Sequence, residues 1–315
     1  MSTAFTFPGQ GSQAVGMGKE LADAFPEARA VFQEVDDALG QSLSSIMYEG
    51  PEDVLRLTEN AQPALMAVSM AVIRVLEAKG VTVASAAKYV AGHSLGEYSA
   101  LCAAGTFSIS DAARLLRTRG LAMQKAVPVG HGAMAALLGL DLETAKAVAA
   151  EAGQGDVCDV ANDNAPGQVV ISGATAAIER AVEIAKGKGA KRAMLLPVSA
   201  PFHCSLMQPA AEAMQAALAE VQMNAPVVPV VSNVLAAPIS DPAEIRQRLV
   251  EQVTGVVRWT ESVTWMASEG GITNLVELGS GKVLTGLAKR ISGDVTAQAI
   301  GSPADIDAFV AQFNA

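Results

Sequence analysis

Residues 89–98 read Tyr-Val-Ala-Gly-His-Ser-Leu-Gly-Glu-Tyr, an apolar stretch that ends in the pattern G-x-S-x-G. Such a stretch predicts a short strand that turns sharply into a helix, because Gly92 and Gly96 permit a close turn. The turn exposes the Ser94 hydroxyl, and the backbone N–H of Leu95 lies at the helix N-terminus, where the dipole favours negative charge. The same five residues could also form an ordinary helix cap, so the rest of the chain must decide between the two interpretations.

Around this stretch, short apolar strands alternate with amphipathic helices, which is typical of an α/β protein with a largely parallel sheet. A first strand is predicted at 4–7, and the glycine-rich loop 9–13 follows it at the sheet edge where such folds place their sites. Further helices are predicted at 19–38, 51–57, 62–79, 95–104 and 110–126.

The order of elements changes after residue 127. Strand, helix, strand, strand, helix and strand are predicted in turn at 133–138, 141–152, 157–163, 168–172, 175–187 and 191–196. This βαββαβ order matches a ferredoxin-like domain. The first pattern then resumes, with helices at 205–221, 242–253, 259–268 and 281–291 and strands at 228–232 and 273–276. We therefore predict a large domain of residues 1–127 and 198–315 that carries a small inserted domain of residues 128–197.

The composition excludes several classes of protein. The chain has 315 residues, half of them apolar, which suggests about two domains with a sizeable core. A net charge of -10 and the lack of a basic segment interleaved with aromatic residues argue against nucleic-acid binding. Cys102, Cys158 and Cys204 lack metal-binding or redox spacing and fit a reducing compartment. The apolar run 63–76 is too short to span a membrane and no secretion signal is recognised, so we expect a cytoplasmic protein without membrane contact.

A serine nucleophile needs a base, and the chain offers only His93, His131 and His203. His93 directly precedes Ser94, and neighbouring side chains at a strand end point apart, so an orienting or packing role is favoured. His131 lies between two glycines, as a solvated loop residue would. His203 follows Pro201, and a proline-stiffened loop can hold an imidazole in place. His203 is therefore the candidate base, and a structural histidine is the alternative.

Six motifs, in one order along nearly the whole chain, resemble the malonyl-CoA:acyl carrier protein transacylases of type II fatty acid synthesis and the acyltransferase domains of polyketide synthases. The motifs are residues 7–13 (FPGQGSQ), 92–97 (GHSLGE), 116–120 (LRTRG), 162–173, 201–203 (PFH) and 257–259 (VRW). The resemblance implies a hydrolase-like α/β large domain, a small ferredoxin-like insert and a site in the cleft between them.

The resemblance also implies roles for single residues. Ser94 would be the nucleophile and His203 the base, oriented by the main-chain carbonyl of Gln252. The backbone N–H groups of Gln10 and Leu95 would form the oxyanion hole. No acidic third member is implied, so the arrangement is a Ser-His dyad.

Arg119 is implied to bind the malonyl carboxylate, which its planar guanidinium would match bidentately. On the residues alone, Arg119 could equally pair with a structural acid or lie on a solvated face with Arg114 and Arg117. Asn162, from the small domain, and His93 are implied as possible site-lining residues.

The implied activity is transfer of a malonyl group from malonyl-CoA to the phosphopantetheine thiol of acyl carrier protein through a malonyl-serine intermediate. This reaction needs no metal or redox cofactor, and none is expected. The loop 9–11 is rich in glycine but lacks the G-K-[ST] ending of a phosphate-binding loop. Two other functions stay open: a serine thioesterase or esterase on a related scaffold, and a non-catalytic subunit that docks a carrier protein. We expect a monomer whose partners are malonyl-CoA and an acidic acyl carrier protein.

Overall fold

The computed structural model of the protein describes residues 2–314, so Met1 and Ala315, the outer ends of the predicted large domain, lie outside the described residues. Within this range, the strands are β1 (Thr3–Phe7), β2 (Tyr89–Gly92), β3 (Gly132–Leu138), β4 (Cys158–Ala165), β5 (Gln168–Ala174), β6 (Arg192–Leu195), β7 (Val230–Val231), β8 (Pro238–Ile239), β9 (Val257–Arg258), β10 (Asn274–Leu278) and β11 (Thr296–Ile300).

The helices are α1 (Lys19–Ala24), α2 (Pro26–Leu39), α3 (Leu43–Glu49), α4 (Glu52–Arg56), α5 (Thr58–Ala78), α6 (Val83–Ala86), α7 (Gly96–Ala103), α8 (Ile109–Ala126), α9 (Leu142–Gly153), α10 (Thr175–Gly187), α11 (Gln208–Ala219), α12 (Pro242–Thr254), α13 (Trp259–Ala267), α14 (Val283–Ile291) and α15 (Pro303–Phe313). A single 3-10 turn, Ser205–Met207, precedes α11.

Six strands form the large sheet in the order β11-β10-β1-β2-β7-β8. All neighbouring pairs are parallel except β7 and β8. The central strand β1 is buried on both faces, which explains why residues 4–7 carry no charge. Because Phe7 pairs with Gly92 at the carboxyl ends of β1 and β2, the loop after β1 lies beside the turn after β2.

The small sheet has the order β6-β3-β5-β4-β9. Its first four strands are antiparallel, and their order is that of a ferredoxin-like fold, so the predicted fold class is confirmed. The fifth strand, β9, comes from the later part of the chain and pairs in parallel with β4, Asn162 opposite Val257. This pairing fixes one edge of the small sheet against the rest of the molecule.

Helix α5 is the central helix of the large core, and nearly all of its side chains are buried. It begins before the predicted helix 62–79 and is longer than the apolar run 63–76, so the expectation that this segment is too short to span a membrane is wrong. Within residues 2–314 it is the one helix long and apolar enough to cross a membrane by length and composition. However, 83% of its apolar 18-residue window is buried inside the protein, as in the core helix of a globular domain.

The observed elements differ from the sequence-based ones at several places. The helix predicted at 19–38 is split into α1 and α2 because Pro26, which lacks an N–H, starts a new helix at its first position. Strand β9 is only two residues long, too short for an alternating pattern. Strand β11 and helix α15 were not predicted; β11 is an edge strand that is only partly buried, which weakens its hydrophobic signal.

Candidate active site

The G-x-S-x-G stretch forms a tight turn between β2 and α7. Ser94 has a φ of 54°, in the left-handed region that side-chain-bearing residues rarely adopt. The two glycines are required by close backbone contacts. A Cβ on Gly92 would lie 1.9 Å from the carbonyl carbon of Gly96, and one on Gly96 would lie 2.3 Å from the carbonyl oxygen of Phe7. The glycines thus allow the turn that raises the Ser94 hydroxyl above the sheet edge.

His203 lies against this hydroxyl. The Ser94 Oγ donates to His203 Nε2 at 2.7 Å, and His203 Nδ1 donates to the main-chain oxygen of Gln252 at 2.9 Å. This second bond fixes the tautomer that leaves Nε2 free to accept a proton. Burial, followed by the positive charge of Arg119, lowers the pKa of His203 to about 3. The imidazole is therefore neutral at pH 7, as a general base must be.

Arg119 is a fully buried guanidinium beside the serine, with 1% of its surface exposed. Its Nη2 donates to the Gln252 Oε1 at 2.9 Å and lies 3.2 Å from the Ser94 Oγ, while Nη1 donates to the Gln62 Oε1 at 2.7 Å. The ring of Tyr98 lies 5.7 Å below it. Among residues 2–314 no carboxylate is within ion-pair distance of this arginine.

Neither alternative raised for Arg119 on the sequence alone describes it. It pairs with no structural acid, and it does not share a solvated face with its neighbours on α8. Arg114 is exposed and pairs with Asp111, and Arg117 is only partly buried. A buried cation held by neutral amides remains able to bind an anion.

Two backbone N–H groups are available near the serine. In the part of the chain that the structure describes, neither the Gln10 N–H nor the Leu95 N–H donates to a protein acceptor. Gln10 lies in the loop after β1, and Leu95 is the N-cap of α7. The Gln10 side chain accepts from the Thr58 hydroxyl at 3.1 Å, which ties this loop to the start of α5.

The turn is supported by side chains that sequence reasoning did not single out. The Oδ1 of Asn233, just after β7, accepts from the Ser94 N–H at 2.8 Å, and its Nδ2 donates to the Gly92 carbonyl at 2.7 Å. Glu97 and Gln62 complete the hydrogen bonds around Gln252 and Arg119. The only sequence signals were the position of Glu97 within GHSLGE and that of Asn233 after a strand at the active edge of the sheet.

On the small-domain side, His93 is hydrogen-bonded to Asn164, a residue that sequence reasoning did not single out. The His93 Nε2 lies 2.7 Å from the Asn164 Oδ1, and the His93 ring packs against Trp259 with a centroid distance of 5.7 Å. Asn162 is buried on β4, and its side chain forms no hydrogen bond with residues 2–314. His93 therefore joins the turn to the small sheet and does not contact the Ser94 hydroxyl.

The remaining candidates form no hydrogen bond with Ser94, His203 or Arg119 within residues 2–314. His131 is exposed in the turn before β3. The Cys204 thiol is buried and donates to the Pro201 carbonyl at 3.1 Å, and burial raises its pKa to about 11. Within residues 2–314 no cluster of three or more histidine, cysteine or acidic side chains is arranged to hold a metal ion.

Residues 4–289 match the acyl transferase domain family. The chain is 48% identical over 300 residues to the malonyl CoA-acyl carrier protein transacylase of Escherichia coli K12, covering 95% of this chain and 96% of that protein. The chain belongs to the malonyl-CoA:acyl carrier protein transacylase family. Within this family, a crystal structure of the acyl-carrier-protein S-malonyltransferase of Bartonella henselae has 59% identity and a TM-score of 0.98, with both chains fully covered.

A second structural relative in the transacylase family was solved with a partner. It is a malonyl-transacylase in complex with a type II polyketide synthase acyl carrier protein, and it has 44% identity and a TM-score of 0.96. The superposition covers 99% of this chain and all of that one. The transacylase fold of this chain therefore extends over its whole described length.

Proposed function

We propose that this protein transfers a malonyl group from malonyl-CoA to the phosphopantetheine thiol of acyl carrier protein through a malonyl-serine intermediate. The observation that carries the proposal is the buried Arg119, unpaired with any carboxylate in residues 2–314 and 3.2 Å from the Ser94 hydroxyl. A neutral acyl group gives no reason for a buried cation at this place, whereas the free carboxylate of a malonyl group would pair with the guanidinium.

In the first half-reaction, the Ser94 Oγ attacks the thioester carbon while His203 Nε2 takes the hydroxyl proton. The negative charge on the carbonyl oxygen is stabilised by the N–H groups of Gln10 and Leu95. The carbon–sulfur bond then breaks, and the imidazolium returns its proton to the departing coenzyme A thiolate. The Gln252 carbonyl holds the ring in place throughout.

In the second half-reaction, the thiol of the carrier protein's phosphopantetheine attacks the ester carbon of malonyl-Ser94. His203 takes the thiol proton and donates it to the serine oxygen as the ester bond breaks. The same oxyanion site serves both steps, so the reaction is a ping-pong exchange. The proposed steps require neither a metal nor a redox cofactor, and this stays a prediction, as do the monomeric state and the cytoplasmic location.

The proposal is tested by intact-mass measurement after mixing the protein separately with malonyl-CoA, methylmalonyl-CoA and acetyl-CoA. We expect one malonyl group on the protein, mapped to Ser94, and its loss to carrier protein on addition of the phosphopantetheinylated form. Release of free malonate without a carrier would indicate the thioesterase alternative. Absence of any adduct would instead favour a non-catalytic docking subunit. The methylmalonyl arm measures how strictly the site selects its acyl group.

A carrier protein of acidic character would need a local basic surface, because two acidic proteins repel at long range. Lys282 and Lys289, at the two ends of α14, are exposed and have no acidic partner within residues 2–314. The α14 end adjoins the site, since the Ser280 hydroxyl donates to the Ser12 carbonyl at 2.8 Å. Arg290, in contrast, is bonded to the Pro166 carbonyl and to Gln168.

We expect the double substitution Lys282→Glu and Lys289→Glu to slow malonyl transfer to carrier protein while acylation by malonyl-CoA stays unchanged. About tenfold is the expected loss, and it should shrink as salt is added. Lys186→Glu with Lys188→Glu is the matched control, because these two lysines already pair with Glu183 and Glu151. Equal losses in both half-reactions, or an equal effect of the control, would contradict docking at α14.

A further inference from the structure

Glu97 is a buried acid that the reaction described above does not use. It lies in the first turn of α7, directly after the Ser94 turn, with 1% of its surface exposed. Within the described range of the chain it forms no ion pair. Burial raises its pKa to about 7, against the opposing effect of hydrogen bonds from Gln252 and Asn233. Burying an acid costs free energy of folding, so we expect Glu97 to have a role that offsets this cost.

The carboxylate accepts hydrogen bonds from two donors. The Glu97 Oε2 lies 2.7 Å from the Gln252 Nε2 and 3.1 Å from the main-chain nitrogen of Asn233. The Gln252 Nε2 also donates to the Ser94 carbonyl at 3.0 Å. Both amide hydrogens of Gln252 therefore have acceptors. A flipped amide would place its oxygen against these acceptors and against the Asn233 Oδ1, which lies 3.3 Å away. Glu97, the nearest of these acceptors and the only acidic one, therefore fixes the orientation of the amide together with two neutral oxygens.

The orientation of the Gln252 amide determines whether an oxygen or an NH₂ group faces Arg119, the arginine proposed to bind the substrate carboxylate. The Gln252 Oε1 accepts from the Arg119 Nη2 at 2.9 Å, and a flip would present NH₂ to the guanidinium instead. The main-chain oxygen of the same residue accepts from the His203 Nδ1 at 2.9 Å. Gln252 thus contacts the base with its backbone and the arginine with its side chain.

We propose that Glu97 is a positioning residue: by fixing the Gln252 amide, it holds the Arg119 guanidinium where the carboxylate of an acyl substrate on Ser94 can bind. This inference rests on the malonyl transfer proposed above.

The indirect contact between Glu97 and Arg119, through the Gln252 amide, affects substrate binding differently from a direct ion pair. A carboxylate bonded to Arg119 would occupy the guanidinium edge that the substrate needs. Glu97 instead contacts the amide of Gln252, which in turn contacts Arg119. It still offsets the buried positive charge by attraction over a short distance, but forms no ion pair that the substrate carboxylate would have to displace.

Glu97→Gln keeps the size of the side chain but removes the charge, which weakens its bond to the Gln252 amide and ends its attraction for Arg119, so it is the direct test. We expect the ratio of kcat/KM for malonyl-CoA acylation to that for acetyl-CoA acylation to fall at least about tenfold, mainly through a higher KM for malonyl-CoA. Acetyl-CoA acylation, which does not use Arg119, should change by less than about threefold. In an Arg119→Ala background, the same substitution should no longer change the ratio, because the two residues act in series.

Glu277→Gln is the matched control. Glu277 is equally buried and accepts from the main chain of Leu284 and Thr285, and it has no hydrogen bond to Ser94, Arg119 or Gln252. This control should lower the melting temperature and leave the malonyl-to-acetyl ratio unchanged. A Glu97→Gln protein with parallel losses toward both substrates would overturn the proposal.

Glu97→Asp serves as a second variant if Glu97→Gln does not fold. It keeps the charge but withdraws the carboxylate oxygen from Gln252, so the ratio should fall in the same direction. Failure of both variants to fold would place the role of the carboxylate in the fold and overturn the proposal. If the unmodified protein acquires no malonyl group on Ser94, the proposed function itself is wrong, an outcome visible before any variant is made.

Discussion

Ser94→Ala should form no malonyl adduct and should lose at least about 10⁴-fold in malonyl transfer, while still binding malonyl-CoA. The substitution removes the attacking oxygen and little volume, and the Arg119 guanidinium keeps its bonds to Gln62 and Gln252. Intact mass reports the adduct, and calorimetric titration with malonyl-CoA reports binding. A malonylated Ser94→Ala protein would contradict the assignment of the nucleophile.

His203→Ala should show a loss of similar size, and the double variant should be scarcely worse than either single one. Residues that act as one unit give such non-additive losses. Ser99→Ala is the matched control: Ser99 is also buried in α7, and its hydroxyl has no hydrogen-bond partner within residues 2–314. Activity of this control within about threefold of the parent would show that loss of a hydroxyl is not damaging in itself.

The Ser94 turn could be predicted because its determinants are local. Gly92 and Gly96 lie within the stretch that forms the turn, and each is required by a backbone contact of that same turn or of the adjacent strand. His203 could be proposed by elimination among three histidines. The βαββαβ insert was also predictable, since each of its elements has its own hydrophobic period.

The supporting hydrogen bonds could not be predicted, because their partners are distant along the chain. Asn233 and Gln252 form hydrogen bonds with main-chain atoms of Ser94 from 139 and 158 residues away along the chain. No local sequence pattern indicates that a side-chain amide will bond to such a distant main-chain group. Likewise, the choice between Arg117 and Arg119 depends on how α8 packs against α5. The residues alone left this choice open, the family resemblance pointed to Arg119, and the fold shows that Arg119 is the one beside Ser94.

The contact between His93 and Asn164 on β4 could not be predicted from the sequence, for a local reason. The pairing of β4 with β5 shifts register twice, between Val160 and Asn162 and between Asp163 and Ala165. Each bulge interrupts the strict alternation of side chains along a strand, so the face of an asparagine cannot be read from its position. The sequence therefore implied a site-lining residue on this strand, Asn162, but gave no indication that Asn164 bonds to His93.

Arg119→Ala should invert the acyl preference of the protein. If the guanidinium binds the substrate carboxylate, its removal deletes a desolvated charge-assisted contact of about 2–5 kcal/mol, which is roughly 30- to several-thousand-fold in malonyl acylation. Acetyl-CoA has no carboxylate and does not use this contact. Initial rates of Ser94 acylation with each thioester, measured by intact mass on the same preparation, give the two effects directly.

Arg117→Ala is the matched control for this experiment. It removes an arginine two residues earlier on the same helix, one that is only partly buried and makes no hydrogen bond to Ser94. We expect its malonyl-to-acetyl ratio to equal that of the parent protein. A general effect of losing positive charge from α8 would then appear in both variants. Loss of the contact with the substrate carboxylate would appear only in Arg119→Ala, as a lower malonyl-to-acetyl ratio.

A lower melting temperature of Arg119→Ala would not by itself decide the question, because the change also leaves the buried amide oxygens of Gln62 and Gln252 without a donor. The ratio of the two rates is independent of how much protein is folded. A structural arginine would give parallel losses with malonyl-CoA and acetyl-CoA, and that outcome would remove the basis for malonyl selectivity at this site. A steep fall in the rate of acylation by malonyl-CoA, with an equal or faster rate for acetyl-CoA, requires that the guanidinium contacts the substrate carboxylate.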